Sequence, residues 1–380
     1  MQHDILRYLA ALISCKSITP LSDGSIEYIE KLLIQHGFSV VVKIFGKQNY
    51  KVLNLYAVYG SGQPNICFAG HVDVVPPCDI NLWKYDPFTL VEAENKIYGR
   101  GTVDMKGALA CAIAASIKFI SLKPKINGSI SFLLTSDEEG PAQYGTHKML
   151  KYLATHNHVV DLAILGEPTS ELEVGDVVKI GRRGSINFSL TIHGTQGHVA
   201  YPELANNPID CIIKIMHNLS GLQLDYGSKQ FSASNLEITS IDVGNNTVNI
   251  IPETASAKFN IRFNDLHSGK SLAALIQKII EQYTTRYELT HSVSADAFIQ
   301  EPSNLIDKFV KIIPQITGVP TKLSTSGGTS DARFIKDYCQ VVEFGLLSAM
   351  AHKINEYTTI SDLQRLYSVY YGVLGKFINN

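Results

Sequence analysis

The chain has 380 residues, enough for two domains with cores of their own. Hydrophobic residues make up 45% of it and charged residues 18%, a globular composition that excludes a disordered or fibrous chain. With 33 basic residues against 35 acidic ones the formal net charge is -2, so there is no electrostatic case for nucleic acid or an anionic membrane, and an anionic ligand must meet locally placed cations.

Near the N-terminus, Ile5, Leu6, Leu9, Leu12 and Ile13 recur at helical spacing beside Asp4, the pattern of an amphipathic helix rather than a signal peptide. Ser25–His36 reads as a second helix, closed by Gly37 where a left-handed cap is favoured. Phe38–Phe45, Val52–Tyr59 and Asn65–Ala69 are short β-branched and aromatic runs split by turns such as Gly60-Ser61-Gly62. Gly107–Leu122 reads as a buried helix, Ser129–Thr135 as a strand, Gly145–His156 as a helix and Leu162–Leu165 as a strand. Apolar strands alternating with helices predict an α/β fold whose sheet is covered on both faces. The longest apolar run, around Ala108–Ile117, is far below the roughly 20 residues of a membrane span.

The pattern changes near Arg183. Ile186–Ile192 alternates apolar and polar residues, a helix follows at Pro208–Leu219, strands at Leu236–Val243 and Ala257–Phe263, and a long helix at Ser268–Tyr287. This predicts a smaller α+β unit at 183–295, inserted into a first domain of 1–182 and 296–380 that ends in the helix Ser361–Ile378. Cys15, Cys67, Cys78, Cys111, Cys211 and Cys339 lack C-x-x-C spacing, and most sit in apolar runs as buried free thiols do. A soluble, cytoplasmic protein is expected.

Five potential metal ligands stand where hydrophobic runs break: His71 in A-G-H-V-D, Asp104 in G-R-G-T-V-D-M-K-G, Glu139 in T-S-D-E-E-G, Glu167 in L-G-E-P-T and His352 in M-A-H-K-I-N-E. Two imidazoles and three carboxylates suit a binuclear zinc site, with cobalt or manganese compatible. His71, Glu139 and Glu167 each follow a predicted strand, and ligands collect beyond the carboxyl ends of strands in open α/β sheets. Asp73 lies two residues from His71, on the same side of an extended chain, and is expected to accept the far ring N–H. One aspartate, Asp104, can bridge two metals roughly 3.5–4 Å apart. Glu138, beside Glu139 but off the metals, suits a general base. No H-E-x-x-H, G-x-S-x-G or cysteine–base pair supports another hydrolase scheme.

With these residues assembled, the chain resembles the dimeric metal-dependent amidohydrolase and carboxypeptidase family that includes acetylornithine deacetylase and aminoacylase. The resemblance runs from the first helix to the C-terminus. Its most discriminating parts are Gly181-Arg182-Arg183-Gly184-Ser185, Gln196-Gly197-His198-Val199-Ala200-Tyr201-Pro202 and Ser326-Gly327-Gly328-Thr329-Ser330-Asp331-Ala332-Arg333-Phe334. It implies a zinc-peptidase-like catalytic domain, a mixed sheet flanked by helices, with the inserted α+β unit serving as lid and homodimer interface. It implies two Zn²⁺ ions per subunit, Co²⁺ being compatible with one site. His71, Asp104 and Glu167 would hold one ion, and Asp104, Glu139 and His352 the other. Asp73 matches the aspartate behind the histidine ligand and Glu138 the general base. His198 matches the histidine that one subunit lends its partner to steady the oxyanion. The implied substrate is a small dicarboxylate, N-succinyl-LL-2,6-diaminopimelate, hydrolysed to succinate and LL-2,6-diaminopimelate in lysine and cell-wall precursor synthesis. Lys179, Arg182, Ser185, Tyr201, Asn249, Arg262, Thr329 and Arg333 match its expected contacts. Departures from the family pattern fall at Val72, Thr102-Val103, Leu346 and Ser348, none of them a ligand. The nearest rival is the same chemistry on acetylornithine; a non-catalytic zinc-binding dimer is disfavoured because Glu138 would then have no task.

Overall fold

Asn65–His71, Gly128–Thr135 and Leu162–Leu165 are buried at every residue, as strands covered on both faces must be. They lie at the centre of an eight-stranded sheet in a computed structural model that describes residues 2–378. Across the sheet the order is Ser39–Lys47, Tyr50–Ser61, Gly128–Thr135, Asn65–His71, Leu162–Leu165, Gln340–Glu343, Val177–Lys179 and Lys322–Ser324. Gly128–Thr135, Asn65–His71, Leu162–Leu165 and Gln340–Glu343 run parallel, so their carboxyl ends share one edge. The Tyr50–Ser61 strand is antiparallel to them, which makes the sheet mixed.

Helix Lys106–Leu122 buries 13 of its 17 residues and packs against Gln2–Ser14 and Ile360–Phe377. A helix apolar on all sides can only be a core element, which explains its Ala, Cys and Ile content. Leu366 on Ile360–Phe377 is fully buried in the same cluster. Leu366→Ala is expected to cost about 2–5 kcal/mol, read as a lower urea midpoint at unchanged m. A loss below about 0.5 kcal/mol, the range of surface substitutions, would contradict this packing.

Two compact units divide the chain. The sheet, its helices and the segments Gln300–Ser324 and Ser330 onward belong to the first; Gly181–Ile299 and Thr325–Thr329 form the second. In the second unit, strands Asn235–Asp242, Thr254–Phe263, Gly184–His193 and Tyr287–Ala295 form an antiparallel sheet in that order. Ile186, Phe188, Leu190 and Ile192 alternate inward onto helices Pro208–Ser220 and Gly269–Glu281, while the residues between them are more exposed. Both helices start on side-chain caps, Asn207 accepting from the Ile209 N–H and Ser268 from the Ser271 N–H.

The long helix expected over Ser268–Tyr287 stops at Glu281, and Tyr287 begins a strand. After Ile280 the apolar period gives way to β-branched Thr284 and Thr285, and the chain from Tyr287 pairs with Gly184–His193. Among the described residues no helix is long and apolar enough to cross a membrane.

Candidate metal centre

The parallel strands deliver three donors to one edge. His71 ends its strand opposite Thr135, and Ala69 pairs with Leu165, so Glu167 emerges level with His71. Glu138 and Glu139 follow Thr135 through a turn tied by Asp137, whose carboxylate accepts from Tyr144 N–H (2.9 Å), Ala142 N–H (3.3 Å) and Tyr50 O–H (2.6 Å). Asp104 ends the loop that starts at Gly99 and leads into helix Lys106–Leu122; Gly101 in this loop has φ +90°, a conformation open to glycine. His352 comes from the turn beyond Gln340–Glu343.

Two groups of donor atoms result, each gathered within 4.8 Å: His71, Asp104 and Glu167, and Asp104, Glu139 and His352. His71 Nε2 lies 3.2 Å from Asp104 Oδ1 and 3.7 Å from Glu167 Oε1. His352 Nε2 lies 3.2 Å from Asp104 Oδ2 and 3.0 Å from Glu139 Oε1. The two oxygens of Asp104 therefore face different histidines. A third triplet, His71, Glu138 and Glu139, satisfies the same limit.

Asp73 acts on His71 differently from the expected way. His71 Nδ1 is 2.9 Å from the Asp73 carbonyl oxygen but 3.7 Å from its carboxylate. A carbonyl can only accept, so Nδ1 carries the hydrogen and Nε2 presents its lone pair to the cluster. The Asp73 carboxylate is used elsewhere: it accepts from the Glu138 and Glu139 N–H groups, each at 3.1 Å, and so fixes the acidic turn.

The electrostatics call for a cation. Burial disfavours charge on His71, yet Asp104, Glu138 and Glu167 hold its pKa well above the ordinary value. Bonds from Asp104 and Glu139 lift His352 to about 10. Burial, and then the charge of Glu167, raises Glu138 well above the usual carboxylate range. Buried carboxylates crowded this way take up protons unless a cation neutralises them. His71 Nε2 and Asp104 Oδ1 face each other at 3.2 Å, buried and without a well-formed hydrogen bond among the described residues. Buried donors aimed at one another in this way fit atoms built for metal.

The expected substrate contacts fall in both units. Lys179 and Arg333 belong to the first unit; Lys179 is buried with Nζ 3.4 Å from Ser324 Oγ, and Arg333 lies in helix Ala332–Ile335. In the second unit Ser185 pairs directly opposite Arg262. Arg182 donates to the Ser326 carbonyl at 3.3 Å, in the segment that carries Thr329. Gly327 there has φ +102°, a backbone conformation that favours glycine. Burial and the neighbouring Arg183 lower the Arg262 pKa, and its Nη1 is buried without a hydrogen-bond partner among the described residues. His198 and Tyr201 form a separate group, their rings 5.8 Å apart, and Asn249 joins it by accepting from Val199 N–H. Asp331 received no role from the sequence, although its motif was singled out. It is 2% exposed, its Oδ1 has no hydrogen-bond partner among the described residues, and burial raises its pKa against the pull of Arg333.

A mixed α/β sheet with clustered imidazole and carboxylate donors at its carboxyl edge is the architecture of a metallopeptidase. The chain belongs to the peptidase family M20/M25/M40, whose family model matches residues 67–376 and so spans all five donors. Over 377 residues it is 57% identical to the succinyl-diaminopimelate desuccinylase of Rickettsia bellii (strain RML369-C), covering 98% of this chain and 96% of the relative. Among solved structures it is similar to an M20 family metallo-carboxypeptidase from Sulfolobus solfataricus, with TM-score 0.80, 18% identity and 98% of each chain covered. A dinuclear metal-binding M20 peptidase from Bacillus subtilis shares the fold at TM-score 0.68 and 14% identity, over 98% of each chain.

Proposed function

We propose that this chain hydrolyses N-succinyl-LL-2,6-diaminopimelate to succinate and LL-2,6-diaminopimelate with two divalent metal ions. The observation that carries the two-metal reading is the placement of Asp104, one oxygen toward His71 and the other toward His352. His71 and Glu167 complete one set of donors, and Glu139 and His352 the other. The donor types suit zinc, with cobalt able to substitute. When bound, such a pair polarises an amide carbonyl and lowers the pKa of water.

The chain's own residues supply the rest. Glu138 takes a proton from the attacking water and returns it to the departing nitrogen. In the metal-free site burial and Glu167 raise its pKa well above the usual carboxylate range, and cations held by the neighbouring donors would return it to the ionised form that a base needs. His198 would steady the oxyanion from a second subunit in a homodimer built through the second unit. Val199, Tyr201 and Leu204 beside it are exposed, as a face awaiting a partner would be. Arg182, Arg262 and Arg333, with Lys179, Ser185, Tyr201, Asn249 and Thr329, would bind the substrate carboxylates and backbone. A biosynthetic role of this kind suits a cytoplasmic enzyme.

The relative's activity supports this substrate over acetylornithine, and the adjacent cations Arg183 and Arg262 suit a substrate with an extra carboxylate. Paired kcat/KM measurements test the choice: succinylated diaminopimelate should be preferred by orders of magnitude, and preference for acetylornithine would refute it. Arg262→Met is expected to raise KM about 10- to 100-fold, the worth of one charge-assisted hydrogen bond. A KM within twofold of wild type would remove Arg262 from the substrate site.

A further inference from the structure

Four residues beyond His352, Glu356 is fully buried and its carboxylate is saturated by one loop. Oε2 accepts from Arg100 Nη1 at 2.8 Å and from the Gly101 N–H at 3.0 Å. Oε1 accepts from the Val103 N–H at 2.8 Å and from the N–H of Asp104 itself at 3.1 Å. The Glu356 carbonyl accepts from the Gly99 N–H at 3.1 Å, so both ends of the loop are tied to one residue. Arg100, 1% exposed, closes the arrangement by donating to the Lys353 carbonyl at 3.2 Å.

These bonds join the backbone of the shared donor Asp104 to the turn that carries His352. That turn needs holding, because His352 and Asn355 both have positive φ, 63° and 59°. A buried ion pair is weak evidence for stability, and an apolar pair of equal volume often serves as well. Apolar side chains could not accept from three amides of a donor loop. We infer that Glu356 is a positioning residue that fixes Asp104 relative to His352, and thereby sets affinity for the metal that these two residues share. The inference rests on the two-metal reading proposed above.

Metal-free protein titrated with Zn²⁺ by calorimetry, and with Co²⁺ by visible absorption, tests it. Glu356→Gln and Glu356→Asp are expected to weaken at least one of the two binding steps by about 10- to 100-fold, the usual effect of losing a group that orients a ligand, and to alter the Co²⁺ spectrum. Leu366→Ala, destabilised in the same unit, should keep wild-type affinity and spectrum. If Glu356→Gln fails to fold because Arg100 loses its partner, Glu356→Asp decides, since it keeps the charge and only shortens the reach. Affinities within threefold of wild type in Glu356→Asp overturn the inference, and so does an equal loss in Leu366→Ala. A wild-type chain that takes up no metal overturns it together with the metal assignment, which distinguishes the two failures.

Discussion

Glu138→Gln should retain two metal ions per chain while kcat falls about 10²–10⁴-fold, the usual contribution of a general base. Gln keeps the shape and the backbone bond to Asp73, but it cannot take a proton. Glu138 Oε2 stands 4.0 Å from His71 Nε2, farther than Asp104 or Glu167. Glu138 also belongs to the third triplet of potential donors, so base and ligand are the two roles its position allows. The two roles part in the metal content. If Glu138 were a ligand, the Gln variant would lose an ion as well as turnover, and a variant with wild-type rate would remove Glu138 from the chemistry altogether.

Asp104→Ala should abolish both binding steps and all measurable hydrolysis, whereas His352→Ala should lose one ion and keep the other. The contrast follows from geometry: Asp104 belongs to both donor groups, and His352 only to one. Asp104 is also the donor on which both imidazoles act, and together they outweigh burial in lowering its pKa. Metal analysis after dialysis, with circular dichroism to verify folding, reads the outcome. Asp104→Ala protein that still holds one ion tightly would mean the sites are independent and the carboxylate does not bridge.

The fold class was legible because its carriers are local. Leu162–Leu165 and Lys106–Leu122 are apolar runs of the length each element needs, and the structure reproduces them to within a residue of the sequence reading. The five donors were visible because each interrupts such a run, and the parallel strands then gather them at one edge. Less was legible where the outcome depends on distant backbone. Whether His71 would be held by the carboxylate or the carbonyl of Asp73 turned on the competing N–H groups of Glu138 and Glu139, more than 60 residues away. The strand Tyr287–Ala295 was hidden because its pairing partner, Gly184–His193, lies about a hundred residues earlier. Glu356 sat in view within M-A-H-K-I-N-E, but a glutamate after a turn looks the same whether solvated or bound to three amides. No spacing rule in one sequence could reveal the loop that saturates it.

The most direct test strips the purified protein with chelator and restores Zn²⁺ in steps while succinate release from N-succinyl-LL-2,6-diaminopimelate is followed. The two-metal assignment predicts no hydrolysis by the stripped protein and recovery that levels off at two ions per chain. Hydrolysis that survives complete metal removal, or a zinc-loaded protein that leaves this substrate intact, would contradict it.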